Sequence, residues 1–278
     1  MEGSKADNGI ANADTQHDGI SNPVEQRGQE KPTPTLPKEG GRINNIKTPI
    51  TMNQELLKKV NKTDFAKLFR QKGYSYFADG YYNLNIIGIR AAGKVGRSQS
   101  VAENIKRGQP AVSRPVTNEF DDIFIVEYNT PARLKVREVF AGTTEPGRYY
   151  MRNPSNAKGT AILVPGQWRG MWRVDWHRGK YKALCQRTVP VRVYRDANRN
   201  DVYDLLPERQ DYGIFGINMH RSVSAGEATA VDKYSAGCQV FQRASDFARM
   251  MYLAGQQISE GHGNSFTYTL LDECELGL

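Results

Sequence analysis

Residues 213–241 have the sequence GIFGINMHRSVSAGEATAVDKYSAGCQVF, which contains the clearest pattern in the chain. Two apolar runs, 214–219 and 239–241, have the composition of buried strands. His220 follows the first run, Cys238 precedes the second, and a polar loop with Gly and Ser separates them. The stretch therefore predicts two strands whose ends present an imidazole and a thiol, the two groups that cysteine-based nucleophilic catalysis requires.

The sequence around this stretch predicts a mainly β fold with a few helices. Residues 53–72 have a helical pattern, with Thr63 as an N-cap and Gly73 as a stop. From residue 121 onward, short apolar segments alternate with turn signals. Besides the two runs above, we predict strands at 81–90, 123–128, 134–140, 160–164, 189–194 and 266–271, and a helix at 244–254. We accordingly divide the chain into a helical lead-in at 52–74 and a β-rich catalytic domain at 75–278.

Residues 1–51 differ in composition from the rest of the chain. They contain five of the 13 prolines and no aromatic residue. Such a segment buries too little apolar surface to offset the entropy of ordering, so we predict that it is disordered. Met52 opens the more ordinary sequence, and we hypothesise that it is the true start, with residues 1–51 an over-read from upstream.

Charge and composition limit the classes of partner. The formal net charge is +8, and residues 1–51 contain six basic and seven acidic residues, so the positive excess lies in the remainder. This charge suits an anionic partner, but no nucleic-acid-binding motif accompanies it, so we do not expect nucleic acid. No run approaches the roughly 18 apolar residues of a membrane span. No signal peptide is visible, which predicts synthesis in the cytoplasm.

The chemistry of a thiol site can be assigned to particular residues of the stretch. His220 would take the Cys238 proton as general base, since a free thiol with a pKa of about 8.5 is only slightly ionised at neutral pH. Gly237 permits a tight turn, so that the N–H groups of Gly237 and Cys238 would stabilise an oxyanion. Ser235 would support the loop or the base. A structural histidine beside a buried cysteine is the competing interpretation.

The same residues resemble the active-site motif of the L,D-transpeptidase (YkuD-like) catalytic domain. In that motif a histidine precedes Ser/Thr-His-Gly-Cys by roughly 14–17 residues. Here His220 is followed, after residues 221–234, by Ser235, Gly237 and Cys238. Two features depart from the family: Ala236 replaces its second histidine, and Gln239 follows the cysteine in place of Asn or Arg.

The resemblance implies a β-sandwich-like fold and attack of Cys238 on a stem-peptide carbonyl of peptidoglycan, giving a thioester that an amine or water resolves. It predicts action at the cell wall by a peptidase or L,D-transpeptidase, for example a phage lysin. Gly216, Arg221, Ser222 and Tyr234 are the candidate substrate-binding residues. The alternative is a catalytically inactive wall-binding or virion structural domain.

A second motif, at residues 196–204, has the spacing of a calcium loop. Asp196, Asn198, Asn200 and Asp204 place oxygen side chains at loop positions 1, 3, 5 and 9. Asp201 stands where such loops have glycine, and Pro207 stands where they have a bidentate Glu. An Asx-rich turn explains the same residues. Calcium is therefore the one cofactor that the sequence suggests, and we otherwise predict none.

Overall fold

A computed structural model describes residues 52–92 and 114–277. The described residues belong to one of two compact units of the chain, that of Lys47–Leu278. The predicted disorder of residues 1–51 falls outside the described residues.

Two short helices begin the described chain, where the sequence predicted one helical stretch. Helix α1 covers Gln54–Lys62 and helix α2 covers Phe65–Lys72. The prediction of Thr63 as an N-cap was wrong, because the side chain of Asp64 accepts the hydrogen bond from Lys67 N and so caps α2. Gly73 ends α2 in the left-handed conformation (φ 70°), as a glycine stop does.

The remaining described chain is mainly β. Its strands are β1 Asn85–Arg90, β2 Arg114–Pro115, β3 Asp122–Asn129, β4 Lys135–Thr143, β5 Thr160–Leu163, β6 Gly166–His177, β7 Tyr181–Gln186, β8 Val191–Asp196, β9 Val202–Tyr203, β10 Gln210–Gly213, β11 Met219–Arg221, β12 Gln239–Phe241 and β13 Phe266–Asp272. Helix α3 covers Arg148–Arg152 and helix α4 covers Ala244–Ser259. Short 3-10 turns lie at Pro207–Arg209 and Glu273–Glu275.

Eight of these strands close into a barrel in the order β1-β13-β6-β7-β11-β12-β4-β3. Strand β1 completes the ring because it pairs with β13 in parallel and with β3 in antiparallel orientation. A sandwich has two separate sheets with open edges, so the sandwich-like expectation is corrected to a closed barrel, while the mainly β class is confirmed.

The alternation of side chains along β1 and β3 explains how both faces of the barrel wall are covered. Ile86 and Phe124 belong to one buried cluster, which also includes Phe247 of α4. Ile87 and Ile125, the neighbouring residues, belong to a second cluster with apolar residues of α1 and α2. Successive side chains of a strand point to opposite faces, so these two strands are buried on both sides.

A smaller sheet has the strand order β10-β8-β5. The chain between β10 and β11 is not the strand that the sequence predicted at 214–219. The Gln186 side chain accepts hydrogen bonds from Phe215 N and Ile217 N, at 3.1 and 3.0 Å, and Gly216 has a φ of 72°. This anchored loop carries the chain from the small sheet into the barrel just before His220.

Candidate active site

His220 and Cys238 lie on neighbouring strands of the barrel. Strand β11 pairs in parallel with β12, and His220 lies opposite Val240. Cys238 precedes Val240 by two residues, and residues two apart point to the same face of a sheet. The side chains of His220 and Cys238 therefore lie on the same face. Diagonal neighbours of this kind are about 7–8 Å apart at the backbone, within reach of long side chains. The two predicted catalytic side chains consequently share one end of a strand pair.

The Cys238 thiol is neutral in its surroundings. Its Sγ donates to the carbonyl oxygen of Gly216 at 3.5 Å, and within the described part of the chain it has no hydrogen bond to the His220 ring. Burial raises the pKa of Cys238 to about 11. A hydrogen bond from the Asn218 backbone N–H lowers this pKa, but by less than burial raises it. The thiol therefore requires a base in order to react, since a preformed thiolate is disfavoured.

Hydrogen bonding fixes the tautomer of His220. Nδ1 lies 2.8 Å from the carbonyl oxygen of Arg221, which can only accept, so Nδ1 carries the proton. In a neutral ring this leaves Nε2 unprotonated. Burial lowers the pKa of His220 to about 3, so the ring is neutral across the physiological range. His220 Nε2 is thus unprotonated and free to accept a hydrogen bond, but with so low a pKa the ring is a weak base.

A second histidine, His177 at the end of β6, stacks on His220. The ring centroids are 4.4 Å apart and the planes differ by 27°. Gln186 N donates to Asn218 Oδ1, which leaves Asn218 Nδ2 to donate to His177 Nδ1 at 3.2 Å. His177 therefore carries its proton on Nε2, and burial lowers its pKa as well. The stack of two neutral rings fixes the plane of the candidate base.

The loop before Cys238 is held by Ser235 and Gly237. The buried Ser235 Oγ donates to the Cys238 carbonyl at 2.8 Å and accepts from Gly237 N at 3.1 Å. Gly237 has a φ of 118°, and a Cβ there would lie 2.3 Å from the carbonyl oxygen of Ala161. Only glycine fits this position. Gly237 N–H is already bonded to Ser235 Oγ, so it holds the loop and is not free for the oxyanion role that the sequence predicted.

Two clefts meet at the thiol. The first, which we call the arginine cleft, has a volume of about 440 Å³ and includes Arg178, Arg195 and Gly216 in its lining. The second, the tyrosine cleft, has a volume of about 190 Å³ and includes Tyr181, His220 and Tyr234. Residues common to both are His177, Arg178, Ala236 and Cys238. Cys238 is therefore open to a ligand from two sides.

The four predicted substrate-binding residues all lie beside these clefts. Gly216 lines the arginine cleft, and Arg221, Ser222 and Tyr234 line the tyrosine cleft. The Arg221 guanidinium lies 4.3 Å from the ring centroid of Tyr181, and Ser222 Oγ donates to the Gln242 carbonyl. Ser222 thus has a structural bond, whereas Arg221 and Tyr234 present their side chains to the cleft.

Sequence reasoning missed the contributions of His177, Arg178 and Asn218. His177 and Arg178 lie more than 40 residues before His220 and have no motif around them. Only the pairing of β6 with β7, and of β7 with β11, brings them to the site. Asn218 could have been predicted from the sequence as a site residue. It lies two residues before His220, and residues two apart in an extended chain share a face.

Gln239, which follows the nucleophile, is a core residue. Its side chain is fully buried, accepts from Tyr268 Oη at 2.7 Å and donates towards the Thr144 carbonyl at 3.4 Å. It therefore faces the barrel interior, away from a substrate. Arg178, in the turn after β6, is an arginine that lines both clefts.

Among the described residues, no group of three His, Cys, Asp or Glu side chains is arranged to hold a metal ion. None of the helices in 52–92 and 114–277 combines the length and apolar character that a bilayer crossing requires. Comparison of the chain with protein-family models, with curated proteins and with solved structures finds no match.

Proposed function

We propose that this chain is a cysteine-dependent enzyme that cleaves or exchanges stem-peptide bonds of peptidoglycan, with an L,D-transpeptidase type of site. The observation that carries the proposal is the neutral His220, with Nε2 unprotonated, on the strand beside Cys238 where two clefts meet. His220 and Cys238 both line the tyrosine cleft, so a substrate there can contact the imidazole and the thiol together. The resemblance of residues 220–238 to the family motif supports the same function.

In the first half-reaction, the Cys238 thiol turns from the Gly216 carbonyl to His220 Nε2. The sulfur attacks the peptide carbonyl carbon as Nε2 takes the thiol proton, and the oxyanion accepts from Cys238 N–H. Collapse breaks the C–N bond, and the imidazolium gives its proton to the leaving amine. The products are a thioester on Cys238, a free amine and neutral His220.

In the second half-reaction, water or a second amine enters from the other cleft and attacks the thioester. His220 Nε2 takes the proton of the attacking group and returns it to the departing sulfur. Water gives a carboxylic acid, and an amine gives a new peptide bond. The two clefts allow either course, because one can retain the acyl group while the other admits the acceptor.

The charge of the clefts suits a substrate with carboxylates. In the described part of the chain, neither cleft has an Asp or Glu in its lining. Arg178 borders both clefts, and Lys180 and Lys233 border the tyrosine cleft. Arg195 is paired with Asp211 at 3.2 Å, so Arg178 is the more available cation. Stem peptides carry free carboxylates, which such cations recognise by charge-assisted hydrogen bonds.

The direct test is incubation of the full chain with purified peptidoglycan, followed by mass spectrometry of the released fragments. The wild type should give new stem-peptide products, Cys238→Ala should give none, and Cys274→Ala should match the wild type. Identical fragments from the wild type, Cys238→Ala and buffer would refute the enzymatic function.

The neutral thiol favours a second candidate, a catalytically inactive wall-binding or virion structural domain. With a pKa near 11 and a hydrogen bond to a carbonyl, Cys238 could be inert. Labelling with a mild electrophile at neutral pH separates the candidates. Selective modification of Cys238 over Cys185 and Cys274 supports the enzyme, whereas equal or absent labelling supports the inactive domain.

A further inference from the structure

The loop between β8 and β9 contains a buried carboxylate with an unsatisfied oxygen. Asp196, the last residue of β8, is fully buried. Its Oδ2 accepts from Asp204 N at 2.8 Å, but its Oδ1 has no hydrogen-bond partner. Buried polar atoms without a partner are rare, and an ion or a water is the usual explanation.

The residues around this carboxylate are all oxygen donors. Asn198, Asn200 and Asp204 follow Asp196 at alternate positions, and the carbonyl of Val202 stands at position 7, where calcium loops use a backbone oxygen. Asn198 Nδ2 contacts Asp204 Oδ2 across the loop. The set contains no sulfur or imidazole, which excludes the preferred ligands of zinc and copper.

Electrostatics in the loop favour a cation. The Asp196 carboxylate accepts from the backbone N–H of Asp204 at 2.8 Å, which places the two acidic residues side by side. Asp201, at position 6, turns away to pair with Arg152 at 2.5 Å and so leaves the donors undisturbed. A divalent cation between Asp196 and Asp204 would remove their repulsion.

We propose that residues 196–204 bind Ca²⁺ through Asp196, Asn198, Asn200, the Val202 carbonyl and Asp204. The inference goes beyond the proposed function, because it concerns a separate site and a different ligand. Two carboxylates and the absence of a bidentate Glu place the affinity in the weak range of extracellular calcium modules, on the order of 10⁻⁴–10⁻³ M. Ca²⁺ is favoured over Mg²⁺, which requires stricter octahedral geometry.

The site adjoins the arginine cleft. Arg195, which lines that cleft, precedes Asp196 in β8. Gly159, another lining residue, packs so closely that a Cβ there would lie 2.3 Å from the carbonyl oxygen of Asp196. Asp201 also ties the loop to α3 through Arg152. Bound Ca²⁺ would therefore stiffen one wall of the cleft as well as its own loop.

The experiment titrates the full, calcium-free chain with CaCl₂ while the melting temperature is followed, with MgCl₂ as the comparison. At a calcium concentration about 100 times the Kd, the Tm should rise by about 5–10 °C. MgCl₂ at the same concentration should raise it less. Terbium luminescence provides a direct readout, because Tyr203 lies within the loop and Ca²⁺ should displace Tb³⁺. No calcium-dependent rise and no displacement would overturn the site.

Variants test whether the calcium-dependent rise in Tm arises from residues 196–204. Asp196→Asn should lower the calcium-dependent Tm rise by more than half, and Asp175→Asn, an equal charge change on β6, should retain it. Asn200 is exposed, so Asn200→Ala removes a calcium ligand without disturbing the core. If Asp196→Asn does not fold, the calcium-dependent Tm rise of Asn200→Ala tests the site. A full calcium response in both loop variants would contradict the proposal. None of these outcomes depends on peptidoglycan activity.

Discussion

Two pairs of strands in the same barrel differ sharply in length and content. Strands β3 and β4 pair over eight positions, from Asp122↔Gly142 to Asn129↔Lys135, and most of β3 is buried and apolar. Strands β11 and β12 pair over three positions and are connected by the polar loop at 222–238. The long pair stabilises the barrel, whereas the short pair ends where His220 and Cys238 can face a cleft. Fold and site thus depend on separate parts of one sheet.

The largest expected effect comes from removing the imidazole of His220, on the short strand pair β11 and β12. We expect His220→Gln to lower kcat/KM on peptidoglycan by about 10²–10⁴, because the proposed general base is lost while the barrel is retained. The Tm should change by only a few degrees. A variant with wild-type activity would show that another group takes the thiol proton. His262→Gln, in the turn after α4, is the control and should keep its activity.

Gly237→Ala tests the backbone that holds the short pair in place. The positive φ and the contact with the Ala161 carbonyl should cost about 1–3 kcal/mol of unfolding free energy and lower activity by at least tenfold. Gly255→Ala in α4 is the matched control. It has open space around its Cβ position and should be neutral or up to about 1 kcal/mol more stable. Chemical denaturation measures both, and equal effects would contradict the close approach at Gly237.

The pH dependence follows from the lowered pKa of His220. In the unfolded chain the ring protonates near pH 6.5, but in the folded chain only near pH 3. The contribution of the neutral ring to stability is therefore complete above about pH 6.5 and is lost as the pH falls towards 3. We expect the Tm difference between pH 7 and pH 4.5 to be smaller in His220→Gln than in the wild type. An unchanged difference would place the His220 pKa near its ordinary value.

The raised pKa of Cys238 affects the stability of the protein at alkaline pH. Unfolding exposes a thiol with a pKa of 9.0, compared with about 11 in the folded state, so its contribution to stability is lost as the pH rises between those values. Because the pKa of His220 is about 3 and that of Cys238 about 11, kcat/KM measured as a function of pH should form a plateau across neutral pH without the usual histidine step near pH 6–7.

The smallest expected effect comes from removing the charge of Arg178, which lines both clefts. Arg178→Gln should raise KM for stem peptides about tenfold, with kcat within about twofold, because one charge-assisted hydrogen bond is lost. Arg169→Gln is the control, because Arg169 is an exposed arginine on β6 that lines neither cleft. A fall in kcat instead of a rise in KM would give Arg178 a role in the chemical step.

The sequence predicted much of the long-strand scaffold. Alternation and β-branched content placed β3 and β13 to within a residue or so, because a buried ladder needs many apolar positions in phase. The strand predicted at 214–219 was wrong, since side-chain bonds from Gln186 hold that segment as a loop. Strands β6 and β7 were missed because their alternating charges and glycines give little apolar signal.

The candidate site was predictable only along one segment of chain. Residues 220–238 are close in sequence, so spacing and the Gly before Cys238 were informative. The His177 stack and the Arg178 charge depend on barrel closure, which pairs residues distant in sequence. Barrel rather than sandwich could not be decided either, because it depends on the pairing of β1 with β13, and parallel pairing leaves no local turn signal.

The central claim is that Cys238 forms a thioester with a stem peptide beside a neutral His220. Intact-mass spectrometry of the full chain, quenched in acid shortly after mixing with a stem-peptide substrate, tests it most directly. We predict a mass increase equal to the acyl part of the peptide, located on Cys238 by fragmentation and absent from Cys238→Ala. Stem-peptide turnover without any adduct in the wild type, or an adduct of the same mass in Cys238→Ala, would contradict the account.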